Sequence, residues 1–208
     1  WFELTSLSVL VLAVAEIAQK IAVTRKDDIS AEANNTVVWI VQGLLSLVYL
    51  LVFVRTPLPT FDLIMILRLL VLGSVYFWAG TLFYTSYKTG SASVNSILLS
   101  SSIVVSTFLG IIFFGESHSV LKFIGSLIVI LAIVFLNYDK NVKLTKGNLL
   151  ALAGAGLYGI AYTLDKGFSI QLSPHLYQVL FSFSIGLSGF FYRGKIIVKD
   201  LAKIEKNT

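Results

Sequence analysis

Glu16 lies inside an apolar run over residues 2–23, about two turns from its end. An ionisable side chain at such depth in hydrocarbon costs about 2.5–3.5 kcal/mol on insertion scales, so it marks a binding or conduction site by default. Lys20 follows one turn on, on the same helical face, and Gln19 stands beside it. Two readings stay open. Glu16 and Lys20 form an i,i+4 pair, with Lys20 snorkelling to the interface, or Glu16, Gln19 and Lys20 face a central cavity and bind a substrate or a proton. A related pattern ends the sixth apolar run, at Tyr158, Tyr162, Asp165 and Lys166. Tyr158, Tyr162 and Lys166 step by four and share one stripe. The two tyrosines read as cavity residues or as an interfacial belt. Asp165 and Lys166 read as ordinary loop charges.

The fourth run is rich in hydroxyls. Ser93, Ser96, Ser100, Thr107 and Gly110 fall on one side of a helical wheel, and Asn95, Ser102 and Ser106 form a second stripe. Such residues most often pack helices closely in lipid, but two stripes place this helix between neighbours and allow one of them to line a polar path. Asn95 is the strongest candidate there, because an amide both donates and accepts. Trp78 is an aromatic of the cavity or of the core.

Much chemistry is excluded. There is no cysteine, hence no disulfide, thiol nucleophile or thiolate metal site. His118 and His175 fall in different loops, which argues against zinc. No phosphate-binding loop, nucleophile elbow or zinc-protease motif is present, and no cofactor is implied. Asn34-Asn35-Thr36 fits a glycosylation sequon but reads better as the cap of the second run. The formal charge of +5 resides in short loops and a basic tail, which suits a membrane surface rather than nucleic acid.

The elements that hold these residues are seven apolar runs, roughly 2–23, 37–54, 64–87, 92–115, 119–137, 147–164 and 175–192, in a chain that is 56% hydrophobic and 13% charged. Most approach the ~20 residues that cross ~30 Å of hydrocarbon. The chain is therefore all-α, a polytopic transmembrane helix bundle. Arg25 to Asp28 ends the first run, and Arg55-Thr56-Pro57-Leu58-Pro59-Thr60 separates the second and third. Lys88-Thr89-Gly90 makes a tight turn, and Gly115 to His118 and Asp139 to Lys146 are loops. Glu116 is expected to meet Lys122 or backbone donors at the surface. Ser173-Pro174 caps the seventh run. Residues 194–200 read as a basic interhelix loop. Ala151, Ala155 and Gly159, and likewise Ser182 and Gly186, are small residues at four-residue spacing, suited to helix contacts.

Ala15-Glu16-Ile17-Ala18-Gln19-Lys20 and Ala161-Tyr162-Thr163-Leu164-Asp165-Lys166 each precede a polar loop, a further apolar run and an arginine, Arg55 or Arg193. Runs six and seven thus repeat runs one and two. A five-helix unit used twice must cross the membrane in opposite senses, the inverted-repeat plan of secondary transporters.

Phe83-Tyr84-Thr85-Ser86-Tyr87-Lys88-Thr89-Gly90-Ser91-Ala92-Ser93, an apolar helix, Phe113-Phe114-Gly115-Glu116 and then Gly125 together resemble the EamA domain of the drug/metabolite transporter superfamily. The lysine near the end of the first run also fits. The resemblance implies two inverted five-helix repeats, ten helices in all: 1–140 as the first repeat and 141–208 as the start of the second, in a piece of a longer protein. Members often carry a proline in the fourth helix, and this chain has none there. The implied function is secondary transport of a small organic solute by alternating access, with Glu16 available to couple protons. The implied site is Glu16, Gln19, Lys20, Trp78, Asn95, Ser100, Tyr158 and Tyr162, with no metal. A non-transporting membrane scaffold or partner subunit is the other reading, and an enzyme is disfavoured. Expected partners are the lipid bilayer and a small-molecule substrate, with a homodimer left open and no nucleic acid. The expected location is the cell membrane, multi-pass. Orientation divides the arguments. The resemblance implies a cytoplasmic start, whereas four basic residues lie on the starting side and twelve on the other, accounting for all 16. The charge rule then places the Asp139–Lys146 loop in the cytoplasm.

Overall fold

The computed structural model describes residues 2–24, 29–54, 62–115, 120–138, 145–169 and 172–206, and among these there is no strand. The helices are α1 (Phe2–Thr24), α2 (Ala31–Tyr49, widening into a π turn over Leu50–Val54), α3 (Leu63–Ser86), α4 (Ala92–Leu99), α5 (Ser101–Phe114), α6 (Val120–Tyr138), α7 (Lys146–Ser169) and α8 (Pro174–Lys206). Ala31–Val54, Leu63–Ser86, Ser93–Phe114 and Lys146–Gly167 are long and apolar enough to cross a membrane.

Short polar side chains start the helices by accepting from free amides of the first turn. Ser30 accepts from the Ala33 amide at 3.2 Å, Asp62 from Met65 at 2.6 Å, and Ser91 from Val94 at 3.2 Å. Ser173 caps α8 as its Ser-Pro pair predicts, accepting from the Leu176 amide at 3.4 Å. Gly115 ends α5 with φ +60°, a conformation in which glycine carries no Cβ penalty.

The core is built where α3 meets α7 and α8. Leu72, Tyr76 and Phe77 of α3 pack with Ala161 of α7 and with Tyr177, Phe181 and Ile185 of α8. Antiparallel to α2, α8 runs along its whole length. The His175 and Tyr49 rings are 5.6 Å apart at one end, and Arg193 and Glu32 lie 4.0 Å apart at the other. Small residues allow this approach. A Cβ at Gly189 of α8 would collide with Thr36 of α2, and on the α3 side of α8 a Cβ at Gly73 would lie 2.5 Å from the Ser184 backbone. The flanks of α1 and α6 are open and apolar: Val14 is 68% and Phe135 81% exposed. On a protein of this composition that surface belongs to lipid.

Several sequence expectations are corrected. The second helix begins at Ala31, not at residue 37, and its cap is Ser30. Asn34-Asn35-Thr36 therefore caps nothing. Asn35 and Thr36 are fully buried within α2, and the Asn35 amide donates to Phe77 O at 2.9 Å. The fourth run is not one unbroken α-helix. It breaks at Ser100, where the Ser100 hydroxyl bonds back to Ser96 O at 3.2 Å and the Ser101 hydroxyl to Leu98 O at 2.7 Å. Serines bonding to their own helix bend it without proline. Residues 194–206 are not a loop. α8 kinks at Arg193 (φ −135°, ψ 20°) and continues. Its continuation is held to α2 by Asp200, which accepts from the Ser30 amide at 3.0 Å and from Lys203 Nζ at 3.2 Å. Burial alone would raise the Asp200 carboxyl, but these bonds outweigh it and hold it below the usual carboxylate range. The expectations at Arg25–Asp28, Arg55–Thr60, Glu116–His118 and Asp139–Leu144, and the side chain of Lys122, fall outside the described residues.

Candidate functional site

The C-terminal third of α1 lies against the turn that joins α3 to α4. Glu16 Oε2 accepts from the Ser96 hydroxyl at 2.7 Å. Lys20 Nζ donates to Gly90 O at 3.2 Å, and so holds the turn itself. The two are one turn apart, yet no ion pair within 4 Å joins them among the described residues; each has taken a partner on another element. Gln19 reaches the Tyr84 hydroxyl. Tyr84 of α3 and Tyr87, which caps it, pack together with Tyr158 of α7 beside this turn. All three α1 candidates are half-buried.

From Tyr158 the aromatic face continues. The Tyr158 and Tyr162 rings stack at 5.7 Å, and Tyr76 of α3 lies 5.8 Å from the first and 5.9 Å from the second. Tyr162 meets Ser102 of α5 and is 41% exposed. The Tyr76 hydroxyl donates to Asp165 Oδ2 at 3.3 Å, and the Tyr177 hydroxyl of α8 donates to Oδ1. Asp165 is therefore no loop charge. It lies within α7 and is gripped from two other helices. Lys166 also lies within the helix, with its ammonium 5.9 Å from the centre of the Phe114 ring.

Asn95 is fully buried and donates to the Ser86 hydroxyl at 2.8 Å, while its Oδ1 has no hydrogen-bond partner among the described residues. It closes the α3–α4 turn next to the Ser96–Glu16 contact. Ser100 turns back onto its own helix at the break. Trp78 lies apart from this group, on the α3–α8 side. Arg193 sits 5.3 Å over its ring, with Tyr192 5.8 Å away. On that side a groove of ≈ 620 Å³ contains Ser74, Ser188 and Tyr192, whose hydroxyls are linked at 3.4 Å. The structure thus gathers Glu16, Gln19, Lys20, Tyr158 and Tyr162 on one connected face, with Asn95 at its edge, and sets Ser100 and Trp78 elsewhere.

Sequence reasoning did not place Tyr76, Tyr84, Tyr87 or Tyr177 in the site, and it read Asp165 as a loop charge. A signal was present for some of them. Tyr76, Phe83 and Tyr87 recur at spacings of seven and four, one aromatic face of α3. The face draws on α1, α3, α4 and α7, and it combines a carboxylate, an ammonium, an amide and phenols. That inventory suits recognition of a small polar or charged solute and exchange of protons. Among the described residues no group of three or more potential metal ligands occurs.

A model of the EamA-like transporter family matches residues 3–138. No curated protein matches the chain. The match takes in α1 to α6 and ends before α7, so the carboxylate on α1 lies within it and the one on α7 beyond it.

Proposed function

The chain belongs to the EamA-like transporter family, and on that premise we propose that it is a secondary transporter of a small organic solute, working by alternating access and coupled to protons through Glu16. The observation that carries the reading is Glu16 itself. It lies in the apolar helix α1, and among the described residues its hydrogen-bond partner is a serine hydroxyl and no cation comes within 4 Å. A carboxylate in hydrocarbon without a countercharge becomes protonated or takes up a cation. Either event is a binding step. Gln19, Lys20, Tyr158 and Tyr162 are the further groups proposed to contact the solute, with Asn95 holding the adjoining turn.

The antiparallel course of α2 and α8 and the like endings of α1 and α7 support an inverted repeat with its site where the units meet. The interruption at Ser100, made by hydroxyls and not by proline, is the point at which we place flexing of the α4–α5 run. The chain is a multi-pass membrane protein, and we assign it to the cell membrane with the α3–α4 turn on the cytoplasmic side, following its basic residues. The scaffold reading draws support from the dry, small-residue contacts of α2 with α8. It leaves the cost of burying Glu16 without purpose.

The test is solute-driven proton movement. Proteoliposomes with a trapped pH indicator, offered panels of amines, amino acids and sugars, should acidify or alkalinise with at least one solute. Glu16→Gln should abolish that response while the protein still inserts and folds. A Glu16→Gln protein with unchanged, equally pH-dependent transport would assign Glu16 to structure.

A further inference from the structure

Asp165 resembles Glu16 in its chemical situation and differs in its place. It lies near the C-terminal end of α7, on the side of the membrane where α1 begins, whereas Glu16 lies near the end of α1 toward the opposite side. Three helices converge on it. Tyr76 comes from α3 and Tyr177 from α8, each a tenth or less exposed, and each carboxylate oxygen takes one hydroxyl. No cation lies within 4 Å of it among the described residues.

Several charged and titratable side chains near this end of the bundle have contacts of their own among the described residues. On α7, Lys166 lies toward the Phe114 ring of α5, and Tyr162 stacks on Tyr158. On α3, Arg68 lines the outer groove with Leu164 and Gly167. On α8, His175 packs against Tyr49 of α2. From α5, Ser102 meets Tyr162. Among the described residues, the side chains that hydrogen-bond the carboxylate are the two phenols of Tyr76 and Tyr177. A phenol can donate to an ionised acid and, after rotation about its C–O bond, accept from the protonated one. Such a shell fits either state of Asp165, as an arginine partner would not.

The two carboxylates are also linked. Glu16 is held by Ser96 beside the α3–α4 turn, Tyr158 packs against the Tyr84 and Tyr87 rings there and touches Tyr162 and Tyr76, and the Tyr76 hydroxyl reaches Asp165. We propose that Asp165, held by Tyr76 and Tyr177, is a second proton-binding carboxylate, loaded from the face opposite to that nearest Glu16 and joined to it by the tyrosine column. The step is simple: a hydronium ion on that face gives its proton to the carboxylate, leaving water and a neutral acid, and one tyrosine turns from donor to acceptor. The purpose assigned to it rests on the transporter reading; the proton binding does not.

The test is infrared spectroscopy of the whole chain in nanodiscs over a pH titration, following carbonyl bands of protonated carboxyl groups. Wild type should show two bands from the protein interior. Asp165→Asn should remove one and Glu16→Gln the other. Tyr177→Phe deletes one donor to the ionised form, so the Asp165 band should persist to higher pH, by roughly one to two pH units. Asp165→Glu, which keeps a carboxyl should the asparagine variant fail to fold, should shift the band's frequency. Spectra of Asp165→Asn or Asp165→Glu identical to wild type throughout the titration would overturn the proposal. Vesicles that move no solute while the Asp165 band still titrates would refute the transporter reading alone.

Discussion

Replacing Gly159 with alanine should destabilise the bundle, whereas the same change at Gly156, less than one turn away, should not. A Cβ at Gly159 would lie 2.5 Å from Val105 Cβ, 2.6 Å from Val105 Cγ1 and 2.9 Å from Ser102 O. Carbon atoms in contact prefer about 3.5–4.0 Å, so α5 would have to retreat by roughly 1 Å. Val105 cannot swing away, because one of the atoms struck is its own Cβ and its rotamer in a helix is nearly fixed. Overpacking of this kind costs about 1–3 kcal/mol. Alanine regains about 0.4–1 kcal/mol by restricting the unfolded chain, which leaves a net loss centred on about 1.3 kcal/mol and at most about 2.6 kcal/mol. At Gly156 nothing lies within 4 Å, so the gain should appear alone. Unfolding by SDS titration in mixed micelles, followed by tryptophan fluorescence, reads both variants on one scale. In a Val105→Gly background the Gly159→Ala penalty should shrink, as expected for coupled neighbours. Equal stability of Gly159→Ala and Gly156→Ala would show that α5 and α7 do not meet there, and the position of Ser102 against Tyr162 would fall with that contact.

Asp200→Asn should lower stability by about 1–2 kcal/mol near neutral pH, since hydrogen bonds to a charged group are lost while one acceptor oxygen remains. Because the folded carboxyl titrates below its unfolded value, its contribution is full above about pH 4 and fades as pH falls through the folded pKa, so the variant should lack that acid-limb loss in an unfolding titration. Ser100→Ala with Ser101→Ala removes both hydroxyls that bond back onto the helix; the distance between spin labels at Ser93 and Phe113 should lengthen toward the roughly 30 Å of a straight helix, and an unchanged distance would assign the break to packing instead. A cysteine at Asn141 in cells should resist a membrane-impermeant thiol reagent, and ready labelling would reverse the assigned orientation.

The helices were legible because the bilayer demands them: runs near twenty apolar residues, broken by Lys88-Thr89-Gly90 or capped by Ser173-Pro174, have few other readings. Glu16 stood out for the same reason, as a charge where charges are costly. What stayed hidden depends on partners distant in sequence. The break at Ser100 comes from hydroxyls that would look like ordinary packing residues. The helical course of residues 194–206 depends on Asp200 finding the Ser30 amide, 170 positions away. Asp165 reads as a loop charge until α3 and α8 each bring a tyrosine to it. The Glu16–Lys20 pair, natural by spacing, gives way because Ser96 and Gly90 offer each residue a separate partner.

The central claim is that the face shared by α1, α3, α4 and α7 is a solute path and not a dry seam. The chain has no cysteine, so single cysteines can be placed there against a blank background. Ser96→Cys and Gln19→Cys should react with a charged, water-borne methanethiosulfonate reagent in nanodiscs, while Ala155→Cys, at a position fully buried within the bundle, should stay unlabelled. Protection of all three alike would contradict the account and leave a packed scaffold.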